Sequence, residues 1–578
     1  MRKKCALFLI FAVCLTILPP LHAQAVAADC NIRVGLYYGD NALTSANLQN
    51  VTGYGSGYQI GWIEESGSFV ALGDLSNVYL TVYPDTTSHL DTGLTFLTYE
   101  EALAYAGLLG AEAFPAYING VYTVYEGSYD SYFDAQEIAF QYGYLIAEAS
   151  PTGYTVRDTQ SGEILFEFDM GGTRLAISPV YDLSGGNEGA QTWFKGRKYY
   201  GMFEYGRDDN GIAVTNVVHM EDYIRGVIPY EMSPSWPLEA LKAQAICART
   251  YAYANLGKHA ADGFDICNST HCQVYYGTSN ADEHTDQAVS ETRGMYITYG
   301  GELIHAYYYS SNGGASEDSE NVWTEELPYL RAVRDDFERQ TNVSHTNWTY
   351  ELTLDDITAI LRERGNEFTG SIVHAYATYT EAGNIKSLTF IDAAGKEIVY
   401  TGERCRSLFN VSGYNIHVYS QRFIFEDKYA MRIESNDEIT NVGAGTSSAP
   451  SGGASGSIDI AHAGVITDSG TISGMTKYGV SAPVLSASGT NEAEVVSIIS
   501  GSSGFSVSSG GSTASGTVSA SSLPVPASCS GTFVIKGNGN GHNVGLSQYG
   551  AKAMAELGYT YEQILNYYYT GISIMSAY

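Results

Sequence analysis

Positive charge is scarce in this 578-residue chain: 30 Lys and Arg stand against 63 Asp and Glu, a formal net charge of −33. So acidic a chain repels nucleic-acid phosphates and anionic lipid headgroups, which argues against either as a partner. Long apolar runs are absent beyond the N-terminus, so no later segment reads as a membrane span. Of the 8 cysteines, Cys30, Cys247, Cys267, Cys272, Cys405 and Cys529 follow the N-terminal leader, too few to staple so long a chain into a disulfide scaffold. There is no H-E-x-x-H and no glycine loop followed by G-K-[ST], which counts against a zinc protease and a P-loop nucleotide site.

What the chain does contain is apolar residue, 44% of the total, enough over this length for two to four domains with cores of their own. Its start, MRKKCALFLIFAVCLTILPPLHAQAVAA, is basic at Arg2, Lys3 and Lys4, apolar from Cys5 to Leu18, and then rich in small residues. That is the layout of a secretory signal over 1–25, with Ala23-Gln24-Ala25 or Ala25-Val26-Ala27 as the cleavage site. The apolar run is shorter than the roughly 20 residues of a bilayer span, so the protein is expected outside the cytoplasm, with an uncleaved membrane anchor as the alternative. Tyrosine is abundant at 47 residues. Its rigid ring and hydroxyl suit flat, hydroxyl-rich ligands such as glycans, and it is equally a common strand residue.

Short alternating runs such as IRVGLYYG and SNVYLTVY read as strands, making 26–89 a β-rich segment. YEEALAYAGLL has helical spacing and leads into FPAYINGVYTVYEGSYDSYFDAQEIAFQYG, a helix, strand, strand, helix order. Within it, AYINGVYTVYEGSYDSYFDAQEIA (116–139) resembles the SPOR-type peptidoglycan-binding module, whose members bind glycan strands stripped of peptides. That resemblance makes 90–148 a wall-targeting module; a generic α+β packing module is the other reading. Over 436–528 the sequence turns Gly/Ser-rich and buries too little apolar surface to offset its ordering entropy, as a linker or insertion would. Residues 529–578 are too few to fold alone and are expected to complete a core begun in 149–435. The expected fold class is α+β, multidomain, with mixed strands and helices.

One stretch, IPYEMSPSWPLEALKAQAICARTYA (228–252), joins a carboxylate to a rigid setting. Pro229, Pro234 and Pro237 each disfavour a helical residue before them, which puts Glu231 on an extended, stiff loop. From Pro237 onward strong helix formers predict a helix, with Lys242 and Arg249 two turns apart on one face and Leu241, Ala245 and Ala248 as the neighbouring apolar stripe. Glu231 is then either a fixed general acid or base, or a charge complementing the helix dipole. The dipole effect fades within one turn, and Glu231 lies further from the helix than that.

Three further clusters stand out. In DICNSTHCQVY, Cys267, His271 and Cys272 have the spacing of a tetrahedral zinc site, with His259 or His305 as a fourth ligand; a Cys267–Cys272 disulfide is the alternative. YYYSSNGGASEDSENVW (307–323) is an aromatic strand ending in Ser310, Ser311, Asn312 and two glycines, a turn suited to acetamido and hydroxyl groups or simply a polar turn. GNGNGHNVGLSQYGA (537–551) presents His542, Ser547 and Gln548 among glycines, as ligands or as core.

The block VVHMEDYIRGVIPYEMSPSWPLEALKAQAICARTYA, followed by CNSTHCQVYYG and these last two clusters, occurs in one order over about 155–578 and resembles the stage II sporulation protein D (SpoIID) and LytB family. The resemblance implies a secreted, wall-associated lytic transglycosylase that cuts the β-1,4 bond between N-acetylmuramic acid and N-acetylglucosamine in peptide-free strands during sporulation or wall remodelling. By resemblance Glu231 is the catalytic acid and Lys242 and Arg249 are the supporting basic positions. Cys267, His271, Cys272 and His259 would hold a structural zinc, while Tyr309, Ser311, Asn312, His542 and Gln548 would wall the cleft. Asn543 and Leu546 depart from the family's usual Gly and Met, which weakens a catalytic role for His542, although Asn tolerates positive φ.

One acid suffices for such a reaction. A hydrolase needs a second carboxylate, whereas a transglycosylase uses the sugar's own 6-hydroxyl as the attacking group. To hold its proton near neutral pH, Glu231 needs a partly apolar setting, for which Tyr230, Met232 and Trp236 are candidates. The LytB branch implies an alternative, a non-catalytic wall-binding enhancer of an N-acetylmuramoyl-L-alanine amidase. A third reading is a two-carboxylate glycosidase using Glu221 or Asp222.

Overall fold

The computed structural model describes residues 30–180, 189–208, 210–340, 347–428, 505–509, 512–516 and 531–577. The signal expected over 1–25 and Cys529 lie outside them, as does the Gly/Ser-rich 436–528 apart from an antiparallel pair, Phe505–Ser509 with Ser512–Gly516. The fold class is α+β. The chain divides into two compact units, Met1–Ala306 with Ile572–Tyr578, and Tyr307–Gly571.

The first unit is built on two sheets. One has seven strands in the order Ile266–Cys267, Asn31–Tyr37, Gly211–His219, Met202–Asp208, Leu175–Pro179, Tyr58–Ile63 and Phe69–Leu75. The other has ten, with the hairpin Gln191–Phe194/Arg197–Tyr200 at one edge and Leu145–Ala147 at the other. Residues 90–148 supply the expected order of helix Tyr99–Leu109, strands Ala113–Ile118 and Val121–Tyr129, and helix Tyr132–Tyr142. Their strands are not set apart from their surroundings, because Ala113–Ile118 pairs in parallel with Ile164–Asp169 and so continues the ten-stranded sheet.

Three helices, Met220–Glu231, Leu238–Ala254 and Glu283–Glu291, pack around the second of them. Leu238–Ala254 buries Ala240, Leu241 and every residue from Ala243 to Tyr253. Small alanines on most sides permit that close approach, and the good helix propensity of the stretch agrees with it. Strand Met295–Tyr299 lies against this helix and pairs with Ser573–Ser576, so the end of the chain is stitched into the first unit.

In the second unit the sequence after the Gly/Ser-rich stretch supplies a central strand. Thr532–Gly537 runs antiparallel between Trp348–Thr353 and Phe423–Asp427. Its Phe533 and Ile535 enter a core with Leu352, Ile360, Leu388, Phe390, Phe409 and Phe425. A strand buried over Phe533, Val534 and Ile535 and the period-3.6 burial of helix Leu354–Glu363 give this core its two sides.

Candidate functional site

Glu231 is the last residue of helix Met220–Glu231, not part of an extended loop. The local proline rule loses here to burial. Tyr223, Ile224, Val227 and Ile228 are all fully buried, and at about 1.5–3 kcal/mol for each large apolar side chain they outweigh the roughly 3 kcal/mol of Pro229 inside the helix. Gly226 is required where it stands, since a Cβ there would lie 2.4 Å from the Tyr275 ring. After Glu231 the chain closes a turn, with the Trp236 amide donating to the Ser233 carbonyl at 3.0 Å, and Pro237 caps the expected helix from Leu238.

The Glu231 carboxylate is half-buried and accepts the Val274 backbone N–H at 3.4 Å. Of the side chains expected to wall it, Met232 is buried, while Tyr230 and Trp236 are half-buried. Tyr230 meets Tyr276 edge-on, with centroids 5.3 Å apart. The guanidinium of Arg197, which sequence reasoning did not single out, lies 3.5 Å from the centroid of Tyr276 and 5.9 Å from that of Tyr230.

The two expected basic contacts are already engaged within the protein. Arg249 is fully buried, forms a two-point pair with Glu221 at 2.9 and 2.6 Å, and donates to the Met295 carbonyl at 3.1 Å. It cannot touch a substrate. Lys242 pairs with Glu239 at 2.9 Å and Glu291 at 2.6 Å. The second-acid reading also fails on geometry. Glu221 and Asp222 are ten and nine residues before Glu231 on one helix, about 15 and 14 Å at 1.5 Å rise per residue, beyond the roughly 5–9.5 Å of paired glycosidase carboxylates. A cavity of about 410 Å³ lined by His219, Glu221, Asp222, Arg225, Val289, Ser290 and Arg293 opens at that far end of the helix.

His259, Cys267, His271 and Cys272 do converge, their ligand atoms all within 4.8 Å of one another. His271 Nδ1 is 3.7 Å from each sulfur and 3.3 Å from His259 Nε2. Asp262 accepts from the other nitrogen of His259 at 3.0 Å, the outer-shell carboxylate that orients a ligating imidazole. His305 is not part of this group. Both cysteines are free thiols rather than a disulfide. The hydrogen bond from Cys272 holds the Cys267 thiol below its usual range, and the same hydrogen bond and burial push the Cys272 thiol up.

The cluster and Glu231 are joined by one short loop. Cys267 is anchored on a strand parallel to Val34–Gly35, and Val274, which donates to Glu231, follows Cys272 by two residues. Between them the Gln273 side chain accepts from Tyr223 at 2.9 Å and donates to the Ala248 carbonyl at 3.2 Å, tying the loop to both helices.

Residues 208–299, which contain all of these groups except Arg197, match the family model "Stage II sporulation protein", SpoIID. They are a SpoIID-family domain. An uncharacterized protein of Brachyspira hyodysenteriae is 36% identical over 181 residues, 31% of this chain and 46% of that protein. The "Amidase enhancer" of Bacillus subtilis is 29% identical over 362 residues, 61% of this chain and 40% of that protein. The "Stage II sporulation protein D" of the same organism is 32% identical over 140 residues, 22% of this chain and 40% of that protein. The chain thus spans less than half the length of each of these relatives.

The remaining expected cleft residues, Tyr309, Ser311, Asn312, His542 and Gln548, belong to the second unit, outside the matched SpoIID segment. Ser311 and Asn312 are fully buried and not open to a ligand. Their groups and Ser547 surround Glu338: Ser311 and Ser547 hydroxyls donate at 2.5 Å, and the Asn312 and Gly313 amides donate at 2.9 and 2.8 Å. Asn312 also donates to Asp335 at 2.7 Å. Glu338 and Asp335 gave no sequence signal, since both lie outside the quoted motifs. Tyr309 and Gln548 are buried too, at 5% and 6% exposure.

His542 is half-buried among the rings of Tyr307, Tyr309 and Trp323, and its Nδ1 accepts the Val544 amide at 3.1 Å. Burial pushes its pKa down to about 3, so it is neutral near pH 7 and has no proton to spare as a general acid. Asn543 adopts φ of 65°, the left-handed backbone that its amide side chain tolerates, and donates to the Asn312 carbonyl at 3.2 Å.

Proposed function

We propose that the protein remodels the bacterial cell wall outside the cytoplasm as a lytic transglycosylase acting on peptide-free glycan strands, with Glu231 as its single acid–base group. The observation that carries this reading is the setting of Glu231: one acid at the end of a packed helix, touched by the Val274 amide, with the other acids of that helix about 14 Å away or more. In the first step the Glu231 carboxyl gives its proton to the glycosidic oxygen as the bond to muramic acid C1 breaks. The resulting carboxylate then takes the proton of the muramic acid 6-hydroxyl as that oxygen bonds to C1, leaving a 1,6-anhydro end and a restored acid. No water is consumed. A helix C-terminus is the end at which negative charge is disfavoured, which suits an acid that must start protonated.

Zinc fits the donors present. His259, Cys267, His271 and Cys272 would hold it, and a closed four-ligand set supplies structural cross-linking rather than an activated water. Its effect on the reaction would run through the loop that carries Val274. Wall binding by residues 90–148 completes the reading. Helix Tyr132–Tyr142 exposes Phe133 and Phe140, 80% and 91% accessible and two turns apart on one face, flat rings of the kind that stack on sugars.

The relative named amidase enhancer supports a second reading, in which the chain binds the wall and stimulates a separate amidase. Release of soluble fragments from peptide-free strands by wild type and Glu231→Gln, with amidase rate measured in parallel, separates the two. The first reading predicts a loss of about 100-fold or more in fragment release, in the range for removing a general acid, with amidase rate indifferent to the substitution. Equal release by both proteins sinks it.

A further inference from the structure

With Lys242 paired to Glu239 and Glu291 and Arg249 paired to Glu221, a further cation of this unit is Arg197, which lies over Tyr276 and near Tyr230, the residue before Glu231. It begins strand Arg197–Tyr200, at the turn of an edge hairpin whose faces diverge. Trp193 and Lys198 are paired on one face, with the ammonium 5.2 Å from the indole. Arg197 lies on the other, its guanidinium carbon 3.5 Å from the centroid of Tyr276 and 5.9 Å from that of Tyr230, the residue that precedes Glu231. Arg197 therefore lies over a ring pair, one member of which, Tyr230, adjoins Glu231 in sequence.

Several arginines of this unit have carboxylate partners: Arg33 and Arg174 meet Glu204, Arg225 meets Asp222, and Arg249 meets Glu221. Arg197 forms no ion pair among the described residues, and its Nη1 is buried without a hydrogen-bond partner. A buried N–H without a partner is costly, and a guanidinium, planar by its own delocalisation, presents a fork of donors that matches a carboxylate.

Only one group of an alternating N-acetylglucosamine and N-acetylmuramic acid strand is a carboxylate, the lactyl arm of muramic acid, and it is free only when its peptide has been removed. We propose that Arg197 is a specificity-determining residue that receives this free lactyl carboxylate, so that the Glu231 site selects peptide-free strands by charge. The inference rests on the wall-glycan reading above and gives it a chemical basis.

The test compares full-length protein on two substrates, peptide-free strands and the same strands with their lactyl carboxylates converted to amides, reading both binding and the release of anhydro ends. Wild type should prefer the carboxylate strands by about 10-fold or more, the range for losing one two-point charged contact. That preference should collapse towards unity in Arg197→Gln and be intermediate in Arg197→Lys, which keeps the charge but loses the fork. Circular dichroism melts of the variants report whether they fold, and the wild-type preference tests the proposal without them. Equal affinity of wild type for the two strands, or a preference that persists in folded Arg197→Gln, overturns it. If wild type releases no anhydro ends, the transglycosylase reading falls while the binding preference still decides the role of Arg197.

Discussion

Arg249 and Glu231 are parts of one short motif but do opposite kinds of work. Arg249 is an internal brace: breaking a buried charge pair by removing one partner leaves Glu221 uncompensated, at a cost of about 3–5 kcal/mol. We therefore expect Arg249→Met to lower stability by that order in urea denaturation, whereas Glu231→Gln should shift the midpoint little. A native midpoint in Arg249→Met would contradict this. Sequence made Glu231 legible as an acid next to prolines, but not its backbone, because proline preferences are local and the burial of Tyr223, Ile224, Val227 and Ile228 is not. Arg197 gave no sequence signal at all. A lone arginine in a strand becomes notable only when its guanidinium is seen beside Tyr276 and without a carboxylate.

Among the elements, the 267–276 loop couples the four-ligand cluster to the helix end. The convergence of Cys267, His271 and Cys272 was readable because they lie within six residues, and the fold brings His259, one of the two further candidates, beside them. Purified protein is expected to contain about one zinc per chain, and a chelator should lower the melting temperature and weaken glycan cleavage together, since the same loop aims Val274 at Glu231. Cys272→Ser should reproduce both effects. Full activity in metal-free protein would separate the cluster from Glu231. In the second unit, the Ser-Ser-Asn-Gly-Gly turn was visible as a turn, while its inward aim at Glu338 depends on a partner 27 residues from Ser311.

Over the whole molecule, strand order is the part least written in local sequence. Alternation predicted strands in the first 150 residues and helix propensity predicted Leu238–Ala254, but neither could place Ile164–Asp169 beside Ala113–Ile118 in one sheet. That sheet buries a carboxyl, Glu167, whose pKa is raised well above its ordinary 4.5 by burial and then by the nearby Asp85. The folded state holds a proton that the unfolded chain releases above that ordinary value, so this residue subtracts stability increasingly as pH climbs from about 4.5 towards the raised value. Glu167→Gln should consequently raise the melting temperature at pH 8, with the gain shrinking by pH 5. A gain independent of pH, or a loss at pH 8, would contradict the assignment.

The central claim is that Glu231 drives an intramolecular attack by the sugar, and the chemical identity of the new chain end tests it most directly. Mass spectrometry of peptide-free strands digested by the full-length protein should show 1,6-anhydromuramoyl ends, lighter by one water than hydrolytic ends, and Glu231→Gln should leave the strands uncut. Ordinary reducing ends, or anhydro ends that persist undiminished in Glu231→Gln, would contradict it.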